Sequence, residues 1–351
     1  MIRLWIAVLV YFLAGRGMAA DTLHLYNWNN YIAPKTIKRF EESCKCKVIQ
    51  DFYAGMDEMQ IKLAARGPVY DVLVPSDYAV PELIRKGLLQ QLDRRQMPNF
   101  NNLSPEYLGR SFDSTNRYSV PYSYTTTVVG YNEVRLAELG ISVDSWAVIF
   151  EPAKLEKLRG KVSVLDDARE VFGAALHYLG YSTNTEDERH WKEAQQLILR
   201  AKPFWAGFDS YNYANRLANG KIWLALGYSN DFFLADTQGG TVGTRIKASL
   251  PKEGASWAMD SMVILKDAPR ADLAYKFINF MLDGKNSAEL TNLVGAGNPN
   301  RAALPYVAPE IQRNVVIFPD KTASGKLEAL MPLEPKTRRL MNALWAEVVS
   351  R

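Results

Sequence analysis

From Leu23 to Lys86 the chain alternates short apolar runs with segments of helical periodicity, and this alternation leaves few folds open. Leu23–Asn27 reads as a strand, Pro34 opens a helix that runs to about Ser43, and Lys47–Tyr53 reads as a second strand. Asp57–Arg66 follows as a helix, Tyr70–Ser76 as a strand stopped by Pro75, and Val80–Lys86 as a helix. Pro34 suits a first helical turn, where its missing N–H would have no partner anyway. A β-α-β-α-β order implies a largely parallel sheet covered by helices on both faces, hence an α/β fold. In such sheets the carboxyl ends of the strands line the ligand crevice.

Beyond a loop-rich stretch, Pro98–Asn116, the run SVPYSYTTTVVGYN reads as two extended pieces. It is rich in Tyr, Thr and Val and poor in charge, which suits a stiff ribbon crossing between lobes. A second α/β set then follows: strand Lys161–Leu165, helices Arg169–Leu179 and Asp187–Ala201, strand Ile222–Leu226. Trp257–Leu265 reads as a second crossing and Ala271–Leu282 as a helix. Lys336–Ser350 is amphipathic, with Leu340, Met341, Leu344, Trp345 and Val348 on one side and its basic residues near its start, a pattern of core packing rather than membrane contact.

Met1–Arg3, the 11-residue apolar run Leu4–Ala14 and the small-residue exit Gly17–Ala20 form a secretory leader, cut after Ala19 or Ala20. The run is too short to span a membrane, and no cysteine stands at the exit to carry a lipid. Export as a soluble protein is the expectation. With 351 residues less that leader, the chain exceeds one ordinary core, so two lobes are expected. Losing Arg3 and Arg16 takes the formal charge from +4 to +2, which neither advertises nucleic acid nor steers a cation from afar. Cys44 and Cys46 are the two cysteines; a reduced pair, a labile bridge and a formed one are all open at that spacing. His24, His177 and His190 are scattered, and no nucleophile elbow, phosphate loop or HExxH helix occurs. The sequence therefore calls for no enzyme activity, no metal and no cofactor.

Four stretches carry candidate site chemistry. In LHLYNWNNY, Trp28 and Tyr31 stand where the first strand runs out, either packed into the core or forming a wall for a ligand. In LDDARE, Asp167 and Glu170 have the spacing of a capping box, yet they too follow a strand, where a helix dipole that keeps them ionised suits them to meet a cation. In ALGYSNDFF, Tyr228 follows a buried strand and Asp231 comes three residues later, with helix capping by Asn230 or Asp231 the ordinary reading. In PKEGASWAMDS, Asp260 interrupts an apolar run, either at a sheet edge or facing a cleft.

YNWNNYIAP, VYDVLVPSDY, LDDAREVF, the PKEG-to-MDS segment and NPNRAA follow one another as they do in the spermidine/putrescine-binding periplasmic proteins of ABC transport, which the chain resembles over essentially its whole mature length. The resemblance implies a type II periplasmic-binding-protein fold: two discontinuous α/β lobes, joined by two crossing strands around a ligand cleft. Lobe one would hold 21–126 and 259–304, and lobe two 127–258 and 305–351. It also implies ligand contacts at Trp28, Asn29 and Tyr31, at Ser76 and Tyr78, at Asp167 and Glu170, at Ser210, at Tyr228 with Asp231, and at Asp260 as the acid gripping a secondary amine. Glu328 falls near the family's terminal-amine Gln. The implied role is a periplasmic receptor that delivers a polyamine of the spermidine, putrescine or norspermidine class to an inner-membrane ABC permease. A second class is a periplasmic sensor docking on a membrane signalling protein, such as a cyclic-diguanylate enzyme. A third is a ferric-iron receptor of similar fold using tyrosines such as Tyr211 and Tyr213.

The residue chemistry supports a polyamine independently. Such a ligand is a methylene chain carrying ammonium groups, so a dry site must supply roughly one carboxylate per charge and flat aromatic faces for the chain. Asp167, Glu170, Asp231 and Asp260 meet that need with no Arg or Lys at the matched positions, whereas an amino-acid site would need an Arg for the carboxylate. Two positions depart from the family: Ala258 where a large aromatic is usual, and Ala296 where many members place Tyr. They are expected to alter which polyamine is preferred.

Overall fold

The computed structural model describes residues 21–29, 31–53, 56–65, 69–241 and 244–351, without the side chain of Asp57, so the expected leader and its cleavage site lie outside the described residues. Ten strands are described: β1 Thr22–Trp28, β2 Lys47–Tyr53, β3 Val72–Leu73, β4 Ser119–Asn132, β5 Val162–Val164, β6 Gly207–Phe208, β7 Leu224–Tyr228, β8 Ile246–Ser249, β9 Ala255–Ile264 and β10 Leu327–Ala329. They run in the order β2-β1-β3-β9-β4-β7-β5-β6, with β10 on β9 and β8 on β4.

The alternation at the start of the chain produces the parallel sheet it requires: β1 lies parallel to both β2 and β3. Leu23 and Leu25 pack on one side of this sheet and Tyr26 on the other, all fully buried, as a doubly covered strand should be. β3 is shorter than the apolar run that contains it, but bonds from Asp71 N to His24 O and from Val74 N to Tyr26 O carry the ladder beyond it at both ends.

SVPYSYTTTVVGYN is one strand of 14 residues rather than two pieces. Ser119–Thr126 pairs with β9, with a shift of register between Pro121 and Ser123, and Pro121 has no N–H to give the ladder. Thr127–Asn132 then pairs with β7 and β8 instead. β4 thus belongs to two sheets and changes partners at adjacent threonines. β9, the second expected crossing, lies antiparallel to β4 over Trp257–Val263 and to β3 at its carboxyl end, and carries β10 in parallel on Ala255–Trp257 at its amino end.

The cores divide where β4 changes partners. Val120, Tyr122 and Tyr124 pack with the β1-β3 sheet, in cores that also hold Phe40, Val72, Met259, Ile264 and Phe277. Val128 and Val129 pack with Trp146, Phe172, Trp191 and Leu226 in another. The terminal helix, Pro335–Ser350, adds Met341, Leu344 and Val348 to that second core, with Trp345 against Phe208 at 5.0 Å between ring centres. Cys44 and Cys46 form a disulfide that closes the end of the helix Pro34–Cys44, where Lys45 adopts a left-handed φ of 55°. Among the described residues no helix is long and apolar enough to cross a membrane.

Candidate functional site

The carboxyl end of β1 and the loop after it deliver Trp28 and Tyr31. Tyr31 is 6% exposed, and its hydroxyl donates to Asp260 Oδ2 at 2.8 Å. Tyr122, on β4, fixes Tyr31 from behind by donating to its carbonyl at 2.8 Å. After β3, Ser76 donates to the other Asp260 oxygen at 2.6 Å. Asp260 is 6% exposed and lies in the middle of the sheet on β9, not at an edge. Burial pushes its carboxyl up to about 6, against the opposing pull of Ser76, Tyr31 and Trp28. The Trp28 indole N–H is itself buried without a full hydrogen bond, and its ring lies 4.7 Å from that of Tyr53.

Asp167 and Glu170 come from the other sheet. Asp167 caps the helix Ala168–Tyr178, accepting the N–H groups of Arg169 at 2.9 Å and Glu170 at 3.2 Å. The Glu170 carboxylate accepts from the Thr127 hydroxyl at 2.6 Å, on β4 just after that strand changes partners. Glu170 is 5% exposed, and burial together with the neighbouring Asp167 raises its pKa. Tyr228 ends β7 at the same place: its hydroxyl is pushed far up by burial, then by Glu170, Asp167 and Tyr78. Tyr78, from beyond β3, is raised by burial and then by Asp167, Glu170, Asp260 and Asp77. Two tyrosines from different sheets therefore feel the same pair of carboxylates.

The remaining expected residues are placed less directly. Asp231 lies in the first turn of the helix Ser229–Thr237 but caps nothing; nor does Asn230, since the cap position is Tyr228. Asp231 accepts from the Tyr213 hydroxyl and from Asn230 Nδ2 at 3.1 Å, and burial raises its pKa. Ser210 accepts from the Asp166 N–H at 2.8 Å, binding the loop after β6 to the loop that carries Asp167. Glu328, on β10, accepts from the Ser182 hydroxyl, Thr183 N at 2.8 Å and Asn184 Nδ2 at 3.0 Å. Burial would raise its pKa, but these bonds outweigh it and hold the carboxyl below its ordinary value. Asn29 is exposed, its N–H bonded to Tyr53 O at 3.2 Å. Ala258 is half-buried beside Thr125, whereas Ala296 is fully buried in the core that includes Tyr31 and Tyr122. Tyr211 is 78% exposed, whereas Tyr213 is 2% exposed and gives its hydroxyl to Asp231.

Sequence reasoning passed over two charged residues. Asp77, between Ser76 and Tyr78, is 1% exposed, and its oxygens accept Tyr78 N at 2.8 Å and Met259 N at 3.2 Å. Its signal was an acid inside a motif read only for its Ser and Tyr. Arg169, between the two acids of LDDARE, turns its guanidinium away to Thr183 O and Asn184 Oδ1, both at 2.6 Å. Among the described residues, no Lys, Arg or His forms an ion pair with Asp77, Glu170 or Asp260. An open surface groove of about 600 Å³, lined by Phe40, Cys44, Lys276 and Asn286 among others, lies on the outside of the first sheet, and none of these acids lines it.

Buried carboxylates without cationic partners, walled by aromatic rings, are suited to a ligand that supplies positive charge and apolar length. The comparisons point the same way. A family model described as bacterial extracellular solute-binding protein matches residues 35–319. A putrescine/cadaverine-binding protein of Pseudomonas aeruginosa is 51% identical over 340 residues, 96% of each chain. The putrescine-binding periplasmic protein PotF of Escherichia coli is 36% identical over 338 residues, 94% of this chain and 91% of its own. Among solved structures, the spermidine/putrescine transporter substrate-binding protein PotD of Streptococcus pneumoniae superposes with a TM-score of 0.83 at 25% identity, covering 94% of this chain and 98% of that one. The TpPotD lipoprotein of Treponema pallidum gives 0.82 at 29%, covering 94% and 100%.

Proposed function

Because this chain belongs to the spermidine/putrescine-binding periplasmic family of bacterial extracellular solute-binding proteins and has their type II periplasmic-binding-protein fold, we infer that it closes on one linear polyamine and hands it to an inner-membrane ABC permease. The observation that carries this reading is the set of acids, Asp260 buried on β9 and half-buried Asp167 with buried Glu170 at the start of the helix Ala168–Tyr178, whose charges are felt by Tyr78 and, for the latter two, by Tyr228. Each ammonium of the ligand replaces water that these carboxylates have lost, and the tyrosine and tryptophan rings cover the methylenes. Putrescine and cadaverine are the first ligands to test, since a relative 51% identical is named for them.

In this reading lobe one is 21–126 with 259–304 and lobe two is 127–258 with 305–351, a division favoured by the change of partners in β4. The ligand contacts are the expected set: Trp28, Asn29, Tyr31, Ser76, Tyr78, Asp167, Glu170, Ser210, Tyr228, Asp231, Asp260 and Glu328. The chain works in the periplasm after removal of the leader near Ala19 or Ala20.

The test is calorimetric titration of the mature protein, stripped of ligand by unfolding and refolding, against putrescine, cadaverine, spermidine, norspermidine and spermine. Tight, exothermic 1:1 binding of at least one is expected. Silence across all five would sink the polyamine reading.

A further inference from the structure

One hydrogen bond and two strand pairings set two of the expected acids at fixed places along β4. Thr127 donates its hydroxyl to Glu170 Oε2 at 2.6 Å, and the two residues are 3% and 5% exposed. Thr127 is also paired with Tyr228 across β4 and β7, and residues directly opposite one another share a face of the sheet. Earlier on the same strand, Ser123 is paired with Asp260, in a register with β9 that runs without a break from Ser123 to Thr126. Side chains an even number of positions apart point the same way, so Asp260, Glu170 and Tyr228 all lie over one face of β4. Between the two acids that face carries Thr125 opposite Ala258, both half-buried, a floor of small side chains. Asp167 and Asp231 stand at the Glu170 end and are held by their own surroundings. Asp167 accepts the first N–H groups of its helix, and Asp231 accepts from Tyr213, whose hydroxyl in turn accepts Tyr228 N at 3.0 Å. Glu170 is the acid whose place depends on β4.

Resting on the polyamine reading above, we propose that Thr127 is a positioning residue: it fixes the span between Asp260 and Glu170 along β4, and through it the preference of the cleft for ammonium groups four or five carbons apart. From Ser123 to Thr127 the strand advances about 13 Å. An ammonium sits about 2.8 Å from a carboxylate oxygen, and the nitrogens of an extended four-carbon diamine are about 6 Å apart at ordinary single-bond lengths, so a diamine with an acid at each end spans about 12 Å. The methylenes then lie over Thr125 and Ala258. A carboxylate keeps acceptor capacity beside one hydroxyl bond, so Glu170 holds an ammonium while Thr127 holds Glu170. Without that hydroxyl the glutamate regains its rotamer freedom, and ligands of other lengths reach its carboxylate as well.

The experiment is calorimetric titration of the full mature protein with spermidine and with the linear α,ω-diamines of three to eight carbons, for the wild type, Thr127→Val and Thr127→Ser. Wild-type affinity should peak at four or five carbons and fall about tenfold or more toward the long end. Thr127→Val keeps the side chain's shape without the hydroxyl. It should bind the best diamine about tenfold more weakly and hold the whole series within about threefold. Thr127→Ser keeps the hydroxyl and should retain the wild-type profile. A role confined to stability would weaken every diamine alike, so a Thr127→Val profile parallel to that of the wild type would overturn the proposal. So would a wild-type profile that is flat or peaks at another length, loss of the peak in Thr127→Ser, or binding of spermidine with no diamine bound. If Thr127→Val does not fold, Thr127→Ala, which also lacks the hydroxyl, is read in the same way. Silence of the wild type toward the whole series and spermidine would instead strike the polyamine reading beneath it.

Discussion

Replacing Asp260 by Asn keeps the side chain's shape and removes its charge; its one oxygen accepts from either Tyr31 or Ser76, and the other hydroxyl turns to accept from the amide NH2. Polyamine affinity should fall by about 2–5 kcal/mol in calorimetry, because an ammonium is then buried against a neutral amide. Unchanged affinity would take Asp260 out of the site. The two alanines separate at this scale. Ala258 precedes Asp260 by two positions on β9, hence on the same face, and is half-buried, so Ala258→Trp adds a ring beside the acid worth about 0.5–2 kcal/mol. It should change the rank order of putrescine, spermidine, norspermidine and spermine; an identical order before and after would refute a role for Ala258 in preference. Ala296 has no exposed surface, so Ala296→Tyr should instead destabilise the fold by about 1–3 kcal/mol in thermal melts. Asp260 stood out in the sequence because it interrupts an apolar run, whereas Asp167 and Glu170 have ordinary capping-box spacing and were singled out by the strand before them and by the family resemblance. Asp77 did not stand out, because an acid opening a helical turn is ordinary in sequence and only its enclosure by β9 makes it unusual.

The parallel strands β1 and β2 and the helices around them could be read from periodicity within a residue or two, since local spacing alone specifies them. The unity of β4 could not, because a Pro and a run of threonines look alike whether a strand breaks or changes partners. Its stiffness is checked by close packing. A Cβ on Gly130 would lie 2.1 Å from the Phe232 ring, so Gly130→Ala should cost about 1–3 kcal/mol and lower the urea midpoint of unfolding. An unmoved midpoint would mean that the ring shifts freely. The disulfide marks the opposite case. Cys44 and Cys46 close a loop with a sequence separation of 2, so chain entropy gives the bridge at most about 1–2 kcal/mol. Reductant should lower the melting temperature by only a few degrees and leave polyamine affinity unaltered; loss of binding on reduction would contradict this.

For the molecule as a whole, the buried acids set how stability depends on pH. Asp77 and Asp260 are raised to about 8 and about 6 in the fold, from an unfolded value near 4. A raised carboxyl binds its proton better when folded, so its contribution is complete below about pH 4 and is lost as pH rises through the folded value. The ligand-free protein should therefore melt at lower temperature at pH 8 than at pH 5, while the increment given by a polyamine grows over the same interval; a melting temperature rising from pH 5 to 8 without ligand would contradict it. Acids held low by basic partners, Asp51 by Lys62 and Glu289 by Arg39 despite its burial, act the other way and only in more acidic solution. The terminal helix has a different consequence, one of timing. Leu344 and Val348 complete a core whose earliest members are Val128 and Val129, so more than half the chain must be made before the second lobe can shut. A nascent chain that cannot finish folding until residues 335–350 emerge stays threadable, and a translocation channel meets it as a loose polymer rather than a finished domain.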